Sequence, residues 1–164
     1  IDLISGTNTT HNNILSLGNN NPSTIYGIST SGGINNMYFN TVYLLGTPTS
    51  GTLNSSAIYS SAANTRDIRN NIFFNARSNS GATGNHFAAY FADAATGLTL
   101  DYNDYFVTGT GGLLGFFNNS SINSISDWKT ATSMDVRSQS INPLLSNAGG
   151  TSASDYFPSP EINP

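Results

Sequence analysis

The feature that most constrains the fold of this chain is an internal repeat of roughly 30 residues, a period that is typical of solenoid proteins. An Asn followed by a short strand-like run occurs four times in the 164-residue sequence, at nearly even intervals. These residues are Asn13, Asn40, Asn71 and Asn103. In the last three copies an apolar residue precedes the Asn by three positions, at Met37, Ile68 and Leu100. A repeat of this length predicts stacked units that share one continuous core.

A second strand signal falls once in each interval. It consists of four or five mostly apolar residues, at positions 25–28, 57–60, 88–91 and 113–117. Segments rich in Gly, Asn, Ser, Thr and Pro lie between the signals and are typical of turns and loops. Two or three short strands per repeat fit one coil of a β-solenoid, in which each strand pairs in parallel with its equivalent in the next coil.

Two other fold classes fit the sequence less well. The repeats lack 3.6-residue spacing and are poor in strong helix formers, so we expect little helix. A β-sandwich needs about seven strands with hairpin turns, yet the chain has no Asn-Gly or Asp-Gly pair and its loops are long and uneven. We therefore predict an all-β, right-handed parallel β-helix of about five coils over residues 1–147, with a C-terminal extension over residues 148–164. Because the sequence opens without Met, we interpret it as a fragment of a longer chain.

The recurrent Asn predicts a ladder of side chains along the solenoid. A side-chain amide at one position of every coil can donate to the amide on one side and accept from the amide on the other. We expect the four Asn residues to form this ladder. Phe73 and Tyr105 are expected to face inward and stack between coils, and Trp128 is expected to cover the end of the core.

Several segments resemble a known family. Residues 68–75 and 98–106 resemble coils of the right-handed parallel β-helix superfamily, the pectate-lyase-like fold, in which motifs of the type I-x-N-N-x-I/F recur once per coil. Residues 124–129 and 134–145 are similar to the closing coils of that superfamily, and residues 159–164 to a string that often follows them. The Asn-, Thr- and Ser-rich copies resemble those of secreted or surface proteins of Bacteroidetes-like bacteria. The resemblance implies a secreted or cell-surface location and says little about activity.

The composition excludes several function classes. Only 9% of the residues are charged, against about a quarter in an average globular protein, and 5 Lys and Arg face 9 Asp and Glu. Nucleic-acid binding needs several convergent basic side chains, so we exclude it. The apolar runs are far shorter than the roughly twenty residues that span a bilayer, so membrane insertion is not expected. The chain has no Cys, which excludes disulfides and thiolate chemistry.

The candidate polar site is a group of carboxylates and guanidinium groups on two successive coils. Asp101 follows Asp67 by about one repeat, and Asp104 follows Asn71 likewise, so we expect Asp67 to lie near Asp101 and Asp104 to lie above Asn71. Such a cluster could grip a sugar or a cation, whereas the alternative is a solvated surface ion pair. The enzymes of the superfamily collect carboxylates from several consecutive coils, which these acids do not, so we assign no catalytic residue. The candidates for glycan contact are Asp67, Arg66, Arg69, Asp101 and Asp104.

Two further residue sets are candidate sites. Tyr26, Tyr59 and Tyr90 recur at intervals close to the repeat length and predict a second ladder. Facing solvent, this ladder would be a platform for a sugar ring, but the large apolar gain from ring burial favours the buried arrangement. His11 and His86 have no second ligand at metal-binding spacing, so we predict no metal site and no cofactor, and we interpret both as loop residues.

Together these features favour a non-enzymatic extracellular role. A surface stalk, an adhesin or a fibre-forming module fits the low charge and the scattered acids, and open coil edges would let copies assemble end to end. The alternative is a carbohydrate-active β-helix protein, either a polysaccharide lyase or hydrolase or a glycan-binding module. The expected partner is therefore another copy of the chain or a surface polysaccharide.

Overall fold

Each repeat of the chain folds into three short strands separated by turns. The computed structural model describes residues 1–92, 96–157 and 159. In chain order the strands are β1 (Asp2–Leu3), β2 (Thr7–His11), β3 (Ile14–Gly18), β4 (Ile25–Thr30), β5 (Ile34–Tyr38), β6 (Thr41–Leu45), β7 (Ser55–Ser60), β8 (Thr65–Arg69), β9 (Ile72–Asn75), β10 (His86–Phe91), β11 (Leu98–Asp101), β12 (Asp104–Val107), β13 (Gly112–Phe117) and β14 (Ser120–Ile122). Helix α1 (Ile125–Thr132) and a 3-10 helix (Ala153–Tyr156) follow.

Equivalent strands of successive coils pair in parallel and form three sheets. Sheet A has the order β1-β4-β7-β10-β13-β14, sheet B the order β2-β5-β8-β11 and sheet C the order β3-β6-β9-β12. The all-β parallel solenoid is therefore confirmed. Sheets B and C each contain four strands, so three turns separate their first and last strands, which is fewer than the five coils that we expected.

The strand register explains the apolar position of the repeat. In sheet B, Met37 pairs with Ile68, and Ile68 pairs with Leu100. All three side chains are buried, and Thr10 takes the same position in the first coil. Because the turn to sheet C begins two residues later, the apolar residue and the following Asn keep a constant spacing in every coil. The apolar residue of the sequence motif thus lies on the inner face of sheet B, and the Asn of the motif lies at the corner that follows.

Aromatic side chains fill the core toward its C-terminal end. Phe73 and Tyr105 are fully buried and stack with 5.8 Å between ring centroids, as expected. Trp128 of α1 is also fully buried and lies 5.4 Å from Tyr105, so it covers the end of the core as expected. Its indole ring lies against Gly115 of β13, where a Cβ atom would approach the ring to 2.3 Å. Only glycine leaves room for this contact.

The C-terminal end of the solenoid is closed by residues 118–144, which follow β13 and are called the closing segment. Strand β14 pairs antiparallel with β13 and lies along the edge of sheet A. Ser124 caps α1 by accepting a hydrogen bond from the Asp127 N–H at 3.1 Å. The backbone N–H groups of Asp135 and Gln139 then donate to the carbonyls of Leu100 and Asn103, so the chain continues along the edges of sheets B and C.

The segment that follows packs on the outer face of sheet C. Tyr156 is buried, and its ring centroid lies 6.1 Å from that of Tyr43. Phe74 and Leu145 belong to the same apolar cluster. The predicted C-terminal extension is therefore packed against the solenoid as far as the 3-10 helix. Its end, with most of the string at 159–164, lies outside the described residues. None of the helices in the described part of the chain has the length and apolar character needed to cross a bilayer.

Candidate functional site

The four repeated Asn residues line the corner between sheets B and C. The Nδ2 of each Asn donates to the Oδ1 of the Asn in the next coil, at 3.0 Å, 2.9 Å and 3.0 Å for the pairs Asn13–Asn40, Asn40–Asn71 and Asn71–Asn103. The backbone N–H of the same Asn donates to that oxygen as well, at 3.2 Å, 2.9 Å and 3.1 Å. The last three residues are almost completely buried. The ladder oxygens thus accept hydrogen bonds from the backbone N–H groups of the first three Asn residues, while the carbonyls of these residues accept from Thr41, Ile72 and Asp104 of the next coil.

The ladder ends on a buried carboxylate. The Asn103 N–H donates to Ser138 Oγ at 2.8 Å, and Asn103 Nδ2 lies 3.3 Å from Asp135 Oδ1. Asp135 also accepts from Ser138 Oγ, from Trp128 Nε1 at 2.7 Å and from the Tyr105 hydroxyl at 3.0 Å. Burial raises the pKa of Asp135 above its usual range, although these hydrogen bonds favour its charged form. Asp135 therefore joins the ladder, the core and α1.

The residue before each ladder Asn adopts a left-handed backbone conformation. The four φ angles are between 55° and 59°, at Asn12, Phe39, Asn70 and Tyr102. Asn tolerates this conformation, whereas it is uncommon for a bulky aromatic residue. Phe39 and Tyr102 are nevertheless 61% and 47% exposed. The corner therefore carries two outward aromatic rings in strained positions, which is a feature that is enriched at binding sites.

Arg66 does not belong to the predicted polar cluster. Adjacent residues of a strand point to opposite faces, so Arg66 points inward while Asp67 and Arg69 point outward. Its guanidinium is fully buried and donates to Ser60 Oγ at 2.8 Å and to the carbonyls of Asn64 and Thr96 at 2.9 Å and 3.0 Å. The predicted position of Arg66 in a solvent-facing polar cluster is therefore wrong.

Asp67 and Arg69 form an ion pair on the outer face of sheet B. Arg69 Nε lies 2.6 Å from Asp67 Oδ1, and the Tyr38 hydroxyl donates to Asp67 Oδ2 at 2.8 Å. Asp67 and Asp101 are not in register with each other, since Asp67 pairs with Thr99 and Asp101 pairs with Arg69. Thr99 is the partner of Asp67, and Asp101 follows Thr99 by two residues. The Asp101 side chain is therefore on the same face of the sheet as Asp67, one side-chain position farther along the strand.

Asp101 is held by Arg137 from the closing segment. Arg137 Nη1 donates to Asp101 Oδ2 at 2.8 Å, and the backbone N–H groups of Arg137 and Tyr102 donate to Oδ1 at 2.9 Å and 3.0 Å. Partial desolvation opposes the charge on Asp101, but these hydrogen bonds outweigh it and lower the pKa of Asp101 below its usual value. The same guanidinium lies 5.0 Å from the centre of the Tyr102 ring.

Asp104 lies in a different sheet from the other predicted contacts. It is the first residue of β12 and pairs with Ile72, so the expected position above Asn71 is wrong by one residue. Its carboxylate is buried under the closing segment, where it accepts from the Ile141 N–H at 3.1 Å and from Gln139 Nε2 at 3.3 Å. Burial raises the pKa of Asp104, against the effect of these two donors. Asp104 is thus separated from Asp67 by the corner.

A groove of about 620 Å³ lies between the corner and the closing segment. Phe39 and Tyr102 stand on one side, two coils apart, which corresponds to roughly 10 Å. Asn70 lies between them, and Arg137 and Asn142 contribute polar groups from the other side. Apolar rings combined with a few amide and guanidinium donors fit a neutral polar ligand that has an apolar face. The sequence signal for this groove is the aromatic residue directly before the ladder Asn in two of the four copies.

The tyrosine ladder lies on the outer face of sheet A. Tyr26 and Tyr59 stack with centroids 4.1 Å apart, and Tyr59 and Tyr90 with centroids 5.2 Å apart. Tyr26 is 39% exposed, and the other two are half-buried, so the favoured buried arrangement is wrong. Phe116 extends the column at 4.4 Å from Tyr90. Because the rings cover one another's faces, mainly edges and hydroxyl groups remain for a ligand.

Both His residues lie in strands and not in loops. His11 is the last residue of β2, and His86 is the first residue of β10 and fully buried. His86 Nε2 lies 2.9 Å from Asn79 Oδ1, and its Nδ1 lies 3.0 Å from Ser55 Oγ. Since the Asn79 amide donates to the Gly84 carbonyl, its oxygen faces His86, and we assign the proton to Nε2.

This Ser55–His86–Asn79 group has the order of a nucleophile, a base and an orienting residue. Ser55 and His86 are both fully buried, so no substrate reaches the hydroxyl. Desolvation, followed by the charge of Arg77, lowers the pKa of His86 to about 4. The group is therefore a neutral structural network at physiological pH. Within residues 1–92, 96–157 and 159, no three His, Asp or Glu side chains lie close enough together to hold a metal ion.

Comparisons with known proteins give no match: no family model, no curated protein and no solved structure matches this chain.

Proposed function

We propose that this chain is a non-catalytic extracellular module, a rigid stalk or adhesive segment of a secreted or cell-surface protein. We also propose that the chain is a right-handed β-helix of the pectate-lyase-like superfamily, of the kind found in surface proteins of Bacteroidetes-like bacteria. This part of the proposal is supported by the resemblance of several sequence segments. In a solenoid each coil contacts only its neighbours, so length and stiffness grow with the number of coils. Such an element suits a protein that holds another domain away from a surface.

The observation that carries the proposal is the continuity of the ladders. The buried Asn ladder runs through four coils, and the outer aromatic column of sheet A spans four strands. Both tie neighbouring coils together by side-chain contacts, in addition to the parallel strand pairing. An arrangement of this kind resists bending and local opening, because opening one coil breaks contacts with two others.

The carboxylates support a structural role. Asp67 pairs with Arg69, Asp101 pairs with Arg137, and Asp104 is buried beneath the closing segment. Acid and base catalysis on a polysaccharide needs two carboxyl groups that face one groove with different proton affinities. These three side chains instead stabilise the outer face of sheet B and the closing segment.

Between the two structural roles, the closed end favours a stalk over a fibre. Stacking of coils end to end requires both ends of the solenoid to offer free parallel edges. At the C-terminal end, α1 and Trp128 cover the core and β14 lies along sheet A. A partner copy would have to displace them.

The test combines a cleavage screen with a measurement of mass in solution. The purified chain is incubated with neutral and acidic polysaccharides, and new reducing ends and unsaturated products are measured. Light scattering is recorded across a concentration series. We expect no cleavage and a constant monomer mass. Cleavage that is lost in Asp67→Ala and Asp101→Ala would overturn the non-catalytic proposal, and filaments in electron micrographs would replace the stalk by a fibre.

A second candidate function is glycan binding without cleavage, and the groove beside Phe39 and Tyr102 favours it. Two exposed rings roughly 10 Å apart, with Asn70 between them and Arg137 beside them, offer apolar faces and hydrogen-bond donors to successive sugar units. Surface polysaccharide is the partner that this arrangement fits. The function is compatible with an adhesive segment.

Affinity electrophoresis in gels that contain a soluble polysaccharide tests this candidate. We expect at least one polysaccharide to retard the chain, and we expect Phe39→Ala and Tyr102→Ala to restore free mobility. Tyr26→Ala is the matched control, since it removes an exposed ring outside the groove. Equal retardation of all three variants would exclude the groove as the binding site.

A further inference from the structure

The outer aromatic column of sheet A has a chemical property that neither proposed function uses. It brings phenol rings of neighbouring coils into face-to-face contact, with 4.1 Å and 12° between the Tyr26 and Tyr59 rings. The Tyr59 and Tyr90 rings are less close and less parallel, at 5.2 Å and 23°. The column then ends at Phe116, which has no phenol oxygen.

Tyr26 and Tyr59 are the pair best placed to react. Tyr26 is 39% exposed, so an oxidant in solution can reach it. In the strand register Tyr26 pairs with Ser56, whereas Tyr59 pairs with Ser29, so the two side chains come from positions three residues apart and lean toward each other. Desolvation and then the neighbouring Tyr59 raise the pKa of Tyr26, as expected where two phenol groups lie close together.

We propose that Tyr26 and Tyr59 form an oxidative coupling site, at which a carbon–carbon bond between the two rings joins neighbouring coils. A one-electron oxidant, such as a haem peroxidase supplied with hydrogen peroxide, removes one electron and one proton from each phenol. The two phenoxyl radicals join through ring carbons next to the phenol oxygens. The hydrogen on each joined carbon moves to the oxygen, which restores both aromatic rings. In total two electrons and two protons are lost, and they reduce one peroxide to two waters.

The stacked geometry favours coupling within the chain over coupling between chains. Two radicals held in contact have an effective concentration far above that of separate molecules in dilute solution. The product would close a loop of one full coil, and such a bond restricts the unfolded chain as a disulfide does. The chain contains no Cys, so this bond would supply a covalent staple that the sequence otherwise lacks.

The test exposes the full chain at low concentration to a haem peroxidase and hydrogen peroxide. Dityrosine fluorescence, the mass of the intact chain and crosslinked peptides are then measured. We expect a monomer that is lighter by two hydrogen atoms and a crosslinked peptide pair that contains Tyr26 and Tyr59. Tyr26→Phe should lower the yield of intramolecular dityrosine at least about tenfold. Tyr102→Phe is the matched control and should leave it unchanged, because Tyr102 is exposed but lies outside the column.

Two further measurements make the outcome decisive. A urea unfolding curve of Tyr26→Phe establishes that the variant is folded, and oxidation of the urea-unfolded wild type should abolish the preference for the Tyr26–Tyr59 pair. The proposal is overturned if dityrosine forms only between chains, if the peptides join Tyr59 to Tyr90, or if the folded Tyr26→Phe variant gives the same intramolecular product. None of these results bears on whether the module cleaves or binds a polysaccharide.

Discussion

Two corners of the coil differ in how their buried polar groups are arranged. Between sheets B and C the same Asn recurs in every coil, and each amide bonds to the next one. Between sheets C and A the large buried polar side chains do not recur from coil to coil. Asn75 is flanked in the register by Leu44 and Val107, and His86 by Ser55 and Gly112. The first corner is a continuous ladder. The second is a local network of Ser55, Asn79 and His86, which Asn75 joins by donating from Nδ2 to Ser55 Oγ at 3.0 Å.

The local network also holds a buried charge. Arg77 is 1% exposed, and its guanidinium donates to the carbonyls of Asn19 and Asn21 at 3.0 Å and 2.7 Å. Its Nε has no partner among the described residues. Desolvation lowers the pKa of Arg77, and the positive charge in turn disfavours protonation of His86. We therefore expect the ladder to stabilise the whole solenoid and the network to position one loop.

The largest expected effect comes from a break in the middle of the ladder. Asn71→Ala removes the acceptor for the Asn40 N–H and Nδ2, and it takes the Nδ2 donor away from Asn103 Oδ1 and from the Met37 carbonyl. Several buried polar groups then lack partners, so we expect a loss of about 4 kcal/mol in the free energy of unfolding, measured by urea denaturation.

Asn13→Ala is the matched control for that variant. Asn13 is only half-buried and stands at the first position of the ladder, so its removal should cost about 1 kcal/mol. If the two substitutions cost the same, the ladder does not act as a continuous element.

The network, unlike the ladder, should respond to pH. The pKa of His86 is about 4 in the folded chain and near 6.5 when unfolded, so between these values the unfolded chain binds more protons and stability rises with pH. As the pH falls from 6.5 to 4, His86 should cost roughly 3 kcal/mol. The raised pKa values of Asp104 and Asp135 act in the opposite direction, because the stability they contribute is lost as the pH rises through their folded values.

The difference between the wild type and His86→Gln isolates the His86 contribution. Urea denaturation at several pH values between 4 and 7 should give a steeper decline toward acid for the wild type than for the variant. Identical slopes would show that burial and the charge of Arg77 do not lower the pKa of His86 in the folded chain.

A smaller effect is expected from Arg77→Lys. A single ammonium group does not reproduce the two hydrogen bonds of the guanidinium to Asn19 and Asn21, and the loss should be about 2 kcal/mol. The loop around residues 19–21 should exchange its amide hydrogens faster, while the ladder amides stay unchanged. A uniform increase in exchange across the chain would mean that the network stabilises the whole solenoid.

The outer face provides the smallest effect and the baseline for the comparison. Asp67→Asn breaks an ion pair in which the Arg69 and Asp67 side chains are 43% and 25% exposed. The cost should be below about 0.5 kcal/mol and should shrink further in high salt. A loss as large as that of Arg77→Lys would contradict the view that this cluster is a solvated surface pair.

The sequence predicted what repeats. The solenoid, the Phe73–Tyr105 stack and the spacing of the ladder Asn residues all depend on one period, which survives variation in loop length. Arg66 lies on the inner face with Ile68, as alternation along a strand requires, although its charge favours a solvent-facing position. Asp67 and Asp101 are two residues out of register because loop lengths differ between coils, and one repeat length cannot predict such a shift.

What occurs once was not predictable from the sequence. His86 sits at a buried position where other coils have Ser55 and Gly112, so no pattern indicates its environment. Phe39 and Tyr102 stand at a position that Asn fills in the other two coils, and the left-handed turn that exposes them becomes evident only from the backbone. The groove depends on the closing segment, which is not part of the repeat.

Native-state hydrogen exchange, resolved by residue, tests the central claim most directly. The amides of Asn40 and Asn71 donate to side-chain oxygens of the ladder, whereas the Arg77 amide donates to Asn75 within the local network. We predict that Asn40 and Asn71 exchange only through global unfolding, with a free energy equal to that from urea denaturation, and that Arg77 exchanges through a smaller local opening. Exchange of Asn40 and Asn71 as fast as Arg77 would contradict the claim that the Asn ladder stabilises the whole solenoid.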